Sequence, residues 1–429
     1  MRAAALLLAT VFGFTALPLR GEEQGAGTSP TGIPVEVHGF LLGTVTGRTT
    51  GLRPARGDGS DFVLVEERLR FDVGKATSTG AGLFLVKGDL FHDAGADRFD
   101  VDLREAWVGY TAGPLDLRLG RQIVTWGAGD VVFISDVFPK DWESFFSGRP
   151  LEYLKLGVDG LRARCSSQTL NGELLIVPFF TPDALPSASR FFFFDPFASV
   201  PDQRELRPAP RYSNAEVALR LYGQTTGFDA SLYAYRGFWR TPSARLQSDA
   251  DPATVVRSYP RLSAYAACAQ RGFLEGVLSL EAGHYDSRQD RRGTDSSVPN
   301  SQWRFMTGYQ RQLRQDLTAG VQAYAELTSR HGAYLETLPA GSPSADRLRW
   351  VLTTRVTQFL GYQAWKVGIF AAFSPTDHDY LLQPEVSHRL SDEFAVSLGA
   401  NVFGGTSDTT FFGQFDKSDN VYVGARFDF

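Results

Sequence analysis

The chain has 429 residues, a formal net charge of −5, 43 glycines and 33 phenylalanines, and 13% of it is aromatic. After the N-terminus no apolar run approaches the ~20 residues of a membrane helix, which excludes a helical membrane protein. No basic block is present, which excludes nucleic acid as a partner, and the aromatic- and glycine-rich mixture suits an antiparallel sheet.

In chain order, Arg2 precedes an apolar stretch over 3–19 that Pro18, Arg20 and Gly21 break. This predicts an export signal over 1–21, followed by a polar periplasmic segment over 22–33. From 34 to 429 apolar and polar residues alternate in segment after segment. A strand sends successive side chains to opposite faces, so alternation reports two environments. Val63, Val65, Leu69 and Phe71 form one apolar face, interrupted by Glu67. The pattern is cleanest late in the chain. Leu317, Ala319, Val321, Ala323, Ala325 and Leu327 share a face, as do Leu348, Trp350 and Leu352. Trp365, Val367, Ile369 and Phe373 share another, and so do Phe394, Val396, Leu398 and Ala400.

Connections alternate in length. Short links are predicted at 111–114, 224–227, 270–272, 312–316, 360–363 and 390–393. Longer polar links fall at 47–60, 91–100, 125–150, 181–212, 238–257, 285–300, 330–346 and 404–419. Tight turns at one end and long loops at the other are what a transmembrane antiparallel β-barrel needs, with short periplasmic turns and long outer loops. The expected fold is therefore all-β, a barrel of about 18 strands, with 16 also fitting the count. Trp303 and Trp350 are expected at the outer ends of their strands, and Trp365, Phe394 and Phe429 at the inner ends, as two aromatic belts.

The most distinctive stretch is 115–150, where Arg118-Leu119-Gly120-Arg121-Gln122 leads into Trp126-Gly127 and then a long link. Val131, Val132, Phe133, Ile134, Val137, Phe138, Trp142, Phe145 and Phe146 are too apolar for an exposed loop and need a wall to pack on. The expectation is a loop at 125–150 that folds inward, with Asp130, Asp136, Lys140, Asp141 and Glu143 facing a water path. Parity places Arg121 on the lipid side unless a bulge or strand end near Gly120 re-aims it. Over 100–160 this stretch resembles the porin-like barrels of Gram-negative bacteria, particularly the alginate-export-like and related groups, whose similar strand precedes an Asp-Val…Pro…Asp loop. The resemblance implies that the loop narrows a pore.

Inward parity assigns Arg68, Arg70, Arg118, Arg220, Arg347, Arg349, Arg355, Lys366, Arg389 and Arg426 to the lumen wall, among carboxylates such as Glu66, Glu281 and Glu385. So many ions in a dry core would cost several kcal/mol each when unpaired, and a hydrated lumen removes that cost. Four consecutive phenylalanines, Phe191 to Phe194, lie in the proline-rich link 181–212 and are expected at the mouth or rim. One reading makes them a capture site for an apolar or aromatic solute. The six histidines are scattered, and Asp377-His378-Asp379 reads as an ordinary outer turn rather than a metal or protease site. Cys165 and Cys268 read as small buried residues, not a disulfide. No nucleophile elbow, phosphate loop or haem motif appears, so neither catalysis nor a cofactor is expected.

The last segment, Asn420 to Phe429, alternates and ends in phenylalanine, resembling the assembly signal of outer-membrane barrels. The expected function is an outer-membrane channel for passive or weakly selective diffusion of small hydrophilic or anionic solutes. Competing readings are an export conduit or sheath for a polymer or partner protein, and a barrel hydrolase. Expected partners are outer-membrane lipid and lipopolysaccharide, the barrel-assembly machinery through Phe429, and a homotrimer of this chain.

Overall fold

A computed structural model describes residues 36–54, 57, 59–77, 80–248 and 251–429. The export signal and the segment 22–33 lie outside the described residues. Within the unit Val37–Phe429, alternating segments become long antiparallel strands: β1 (Glu36–Arg48), β2 (Phe62–Ala76), β3 (Gly82–Asp93), β4 (Arg98–Ala112), β5 (Leu115–Gln122), β6 (Val158–Cys165) and β7 (Asn171–Val177). After β8 (Asp202–Leu206) come β9 (Glu216–Thr225) and β10 (Phe228–Phe238). Next are β11 (Ser243–Ser248), β12 (Asp251–Ser258), β13 (Arg261–Phe273), β14 (Gly276–Ser287), β15 (Gln302–Arg314) and β16 (Leu317–Thr328). The series ends with β17 (Leu348–Leu360), β18 (Trp365–Ser374), β19 (Asp379–Arg389), β20 (Phe394–Gly405) and β21 (Asn420–Asp428).

Eighteen of these form one sheet, and it closes because β1 pairs with both β2 and β21. The β1–β21 register runs from Phe40 opposite Asp428 to Arg48 opposite Asn420, and Gly39 and Phe429 extend it by exchanging backbone hydrogen bonds at 3.0 Å. Closure leaves no free edge, the condition for strands to stand in hydrocarbon.

One parity of each strand is exposed and apolar: Leu119, Leu161, Leu232, Tyr265, Leu280, Phe305, Val321, Leu352, Val367, Leu398 and Val423 among many. An apolar surface running around a whole molecule cannot face water, and it matches the lipid-facing band of a membrane barrel. The opposite parity carries the buried side chains, so the core lies inside the barrel. Met306, Tyr324, Val351, Phe370, Leu381 and Phe403 from the wall join Ile134, Phe145, Phe146 and Leu154 there.

Three expectations are corrected. The link at 91–100 is a four-residue turn over 94–97, because β3 and β4 pair out to Asp93 and Arg98. The 270–272 turn falls at Leu274 and Glu275, the pairing continuing to Phe273 opposite Gly276. The 238–257 link holds a hairpin, β11–β12, which β8 joins in parallel to make a second, three-stranded sheet. A bulge opposite Lys87 and Gly88 turns both Arg104 and Glu105 inward and exchanges the two faces of β4 beyond it.

Arg121 does keep the outward parity. It lies opposite Asp159 at the outer end of the wall and pairs with it at 3.0 Å. The belts fall at strand ends as expected, with the Trp303 ring tilted against His284 at 4.5 Å in the outer belt and Trp365 stacked on His388 at 3.9 Å in the inner one.

Candidate functional site

Segment 123–157 leaves the wall after β5 and passes through the barrel before rejoining it at β6. Its contacts reach wall strands on all sides. The Trp126 indole donates to Glu173 on β7 at 3.1 Å. Glu281 on β14 accepts the backbone N–H groups of Ala128 at 3.0 Å and Ser135 at 2.6 Å. The Asp130 N–H donates to Gln322 on β16 at 3.0 Å, and its carboxylate pairs with Arg355 on β17. Tyr285 donates to the Ile134 carbonyl at 2.6 Å.

The segment then forms one short helix, α1 (Trp142–Phe146), capped by Asp141, whose carboxylate accepts the Ser144 N–H at 2.8 Å. The carbonyl at its end, on Phe146, accepts from Asn401 on β20 at 3.0 Å and Asn420 on β21 at 3.1 Å. Thr46 on β1 donates to the Ser147 carbonyl at 2.7 Å. Arg149 grips Glu66 on β2 at 2.6 Å, and Arg70 donates to Tyr153 at 2.7 Å.

Two glycines make the route sterically feasible. Gly127 has φ +82°, and a Cβ there would stand 2.9 Å from the Glu281 carboxylate. Gly148 also has φ +82°, and a Cβ there would lie 2.5 Å from the Tyr422 ring.

These contacts redistribute the expected site residues. Asp136 and Lys140 were expected to line water but are 5% and 3% exposed. They pair at 2.9 Å inside the segment, with Lys155 on the same carboxylate at 3.0 Å. Burial drives the Lys140 pKa down against the pull of Asp136, and burial drives that of nearby Asp183 up. Asp141 is occupied as the helix cap. Glu143 accepts the Ser187 N–H at 2.8 Å and pairs with Arg190 at 3.2 Å, tying the segment to the 178–215 link. Of the four carboxylates among these five residues, Asp130, in its pair with Arg355, is the most open to solvent.

On the wall, Arg68 and Arg70 are 4% and 2% exposed, sealed beneath Tyr153 with Glu66 and Asp89. The bulk of the crossing segment, not the parity of β2, decides this. Arg347 lies just before β17 at the rim, and Arg389 ends β19 exposed at the opposite rim. Arg349 pairs with Asp377 in the β18–β19 turn, which leaves that Asp-His-Asp triplet a structural turn. Lys366 pairs with Glu385 at 3.3 Å and Arg426 with Asp428 at 2.6 Å, both open to solvent.

Arg118 and Arg220 stand with two arginines that the sequence reading missed, Arg162 and Arg164 on β6. Arg118 lies directly opposite Arg162, and Glu173 opposite Arg220. Arg162 donates to Glu173 at 2.8 Å, Arg164 to Asp116 at 2.8 Å, and Arg118 sits over the Trp107 ring at 4.2 Å. Four guanidinium groups thus share two carboxylates on β5, β6, β7 and β9. Elsewhere on the wall cations and anions pair nearly one for one.

The outer mouth holds a cavity of about 980 Å³ lined by Phe133, Trp142, Phe194, Trp239, Arg240, Arg257, Arg304 and Arg349. Of the four phenylalanines, Phe191 is buried against Phe415, while Phe193 and Phe194 border the cavity. Both cysteines are free, Cys268 buried and Cys165 exposed, against the expectation that both are buried. Among the described residues no group of three or more metal-ligating side chains gathers.

This closed, apolar-sided barrel with a charged interior has the architecture of a porin-like outer-membrane barrel. No family model and no curated protein matches the chain. Among solved structures, OccK11 (OpdR) of Pseudomonas aeruginosa superposes with a TM-score of 0.53 at 9% identity, over 92% of this chain and 96% of that one. Mutants of the Rhodopseudomonas blastica porin align over 92% of this chain and 100% of theirs, at 14% identity and TM-scores of 0.42 and 0.43. The OccK11 match agrees with the fold derived from the strand pairing.

Proposed function

We propose that this protein is a passive diffusion channel of the outer membrane for small hydrophilic solutes, with a preference for anions. Segment 123–157 is the constriction, Asp130 and Arg355 sit at its edge, and solutes pass along the wall that the segment leaves uncovered. The observation that carries the reading is the arginine excess on that wall. Arg118, Arg162, Arg164 and Arg220 against Asp116 and Glu173 leave about two positive charges in a narrow, hydrated passage, where a field of one sign is poorly screened. The Phe193–Phe194 side of the mouth cavity would favour solutes that carry an apolar or aromatic part. Lipid and lipopolysaccharide surround the barrel, the assembly machinery reads the Phe429 strand, and three copies associate through the apolar exterior. An export conduit for a polymer would have to pass the crossing segment, which side chains of β1, β2, β7, β14, β16, β20 and β21 tie to the wall. A hydrolase requires an accessible nucleophile beside a base, and Ser144, whose hydroxyl donates to Asp141 at 2.6 Å, is 2% exposed inside the crossing segment.

Reversal potentials of single channels in a KCl gradient test this. The expected sign is that of anion selectivity, and Arg118→Gln with Arg164→Gln should move it toward zero or past it. Cation selectivity of the parent channel, or a selectivity that ignores both substitutions, overturns the proposal.

A further inference from the structure

The outward face of the barrel carries a charge cluster that the channel reading does not use. On β10, Arg236 shares the outward parity of the exposed Leu232. On β13, Arg261 shares that of the exposed Tyr265. On β14, His284 and Asp286 point the same way, and Arg288 follows the strand end. Register draws these together. Arg236 lies opposite Ser263, and Ser263 opposite Asp286. The Arg288 N–H donates to the Arg261 carbonyl at 3.0 Å, and its guanidinium donates to the Gly237 carbonyl at 3.2 Å, beside Arg236. Ser263 is 4% exposed although it has the outward parity, so the long side chains around it fold over it.

The cluster lacks counter-charge. Its carboxylate, Asp286, is taken by Arg291 through hydrogen bonds of 2.7 to 3.2 Å. Asp290 in the following loop is occupied by the backbone N–H groups of Arg292, Gly293 and Asp295. Arg236 makes no hydrogen bond or ion pair among the described residues, and Arg261 meets no carboxylate, reaching the neutral Asn214 side chain at 3.2 Å and lying 5.8 Å from the centre of the Phe238 ring. The Arg288 Nε is buried without a partner. Burial lowers the Arg288 pKa, and the charges of Arg236 and Arg261 lower it further. Like charges on adjacent strands destabilise a sheet, and a guanidinium N–H buried without an acceptor costs more.

Position says what the acceptor is. The cluster stands at the outer ends of three strands, on the hydrocarbon-facing parity, beyond Tyr265 and the His284–Trp303 pair of the outer belt. That belt marks the headgroup boundary. Groups just beyond it meet the headgroups of the outer leaflet, and arginine forks match phosphate oxygens two at a time.

We propose that the outward face of β10, β13 and β14 at their outer ends binds the phosphate groups of an outer-leaflet lipid, with Arg236, Arg261 and Arg288 as donors. The inference rests on the outer-membrane placement of the barrel but not on conduction through it. The test is native mass spectrometry of the full mature barrel in detergent, titrated with diphosphorylated lipid A, with the dephosphorylated lipid, and with inorganic phosphate as competitor. The parent should retain the diphosphorylated lipid in preference to the dephosphorylated one. R236Q with R288Q should weaken that retention about thirtyfold, at roughly a tenfold step per 1.4 kcal/mol and ~1 kcal/mol per arginine near a lipid surface. R236K with R288K should restore part of it. Heat-modifiable gel mobility confirms that each variant is folded, and single-channel conductance, measured in parallel, should not change. Equal retention of both lipids, equal retention by parent and R236Q/R288Q, or full displacement by millimolar phosphate overturns the proposal. A barrel that binds the lipid but does not conduct would overturn the channel reading alone.

Discussion

At the residue scale, the motif that begins at Arg118 is explained by steric demands along one path. Gly120 has φ +128°, and a Cβ there would stand 2.2 Å from the Ala106 carbonyl oxygen, so the strand admits no side chain at that point. Gly127 and Gly148 mark the first and last bends of the crossing segment. Gly148→Ala places a methyl against the Tyr422 ring with φ in the left-handed region, and should destabilise the folded barrel by about 1–3 kcal/mol. Urea unfolding from detergent followed by tryptophan fluorescence would read this as an earlier midpoint, and an unchanged midpoint would mean that the segment does not pass Tyr422.

Residue chemistry was only partly legible in the sequence. Arg162 and Arg164 were within reach, since they alternate with Leu161, Ala163 and Cys165 on one short strand. The burial of Arg68, Arg70, Asp136 and Lys140 was not, because it depends on which wall positions a non-wall segment covers. No local pattern records a contact such as that between Arg70 and Tyr153, 83 positions apart. Glu281 was legible as inward but not as the anchor of two loop N–H groups.

At the element scale, the crossing segment behaves as an internal strut. Its apolar residues pack on the wall, and its backbone polar groups are satisfied by wall side chains: Glu281, Gln322, Asn401, Asn420 and Thr46. Buried backbone groups without partners would each cost about 1–3 kcal/mol. Glu281→Ala leaves the N–H groups of Ala128 and Ser135 without their acceptor and should loosen this end of the strut. The expected outcome is greater open-channel current noise together with an earlier unfolding midpoint. A quiet channel of parent conductance would show that Glu281 does not hold the segment.

The strands themselves were readable wherever one face meets hydrocarbon, because lipid tolerates few exceptions. The exceptions that confused parity have local causes: the bulge at Arg104 and Glu105, and the Arg121–Asp159 pair at the outer rim. The β11–β12 hairpin was hidden because it packs with β8 outside the main sheet and carries no lipid-facing alternation.

At the scale of the whole molecule, 18 paired strands satisfy every strand edge, and the exterior carries the apolar surface that a soluble barrel would hide. The interior is divided between two apolar clusters, ion pairs under the crossing segment, and the arginine-rich wall beyond it. Strand number, loop polarity and the aromatic belts came from periodicity, whereas the distribution of water inside the lumen required the fold. The central claim is that an aqueous passage runs past the crossing segment and along the arginine-rich inner halves of β5, β6 and β9, below the part of that wall that the segment covers. Its most direct test is the conductance of the folded barrel in a planar bilayer. The account predicts stepwise, stable, ohmic current increments. A heat-modifiable, folded barrel that inserts and leaves the bilayer non-conducting would contradict it.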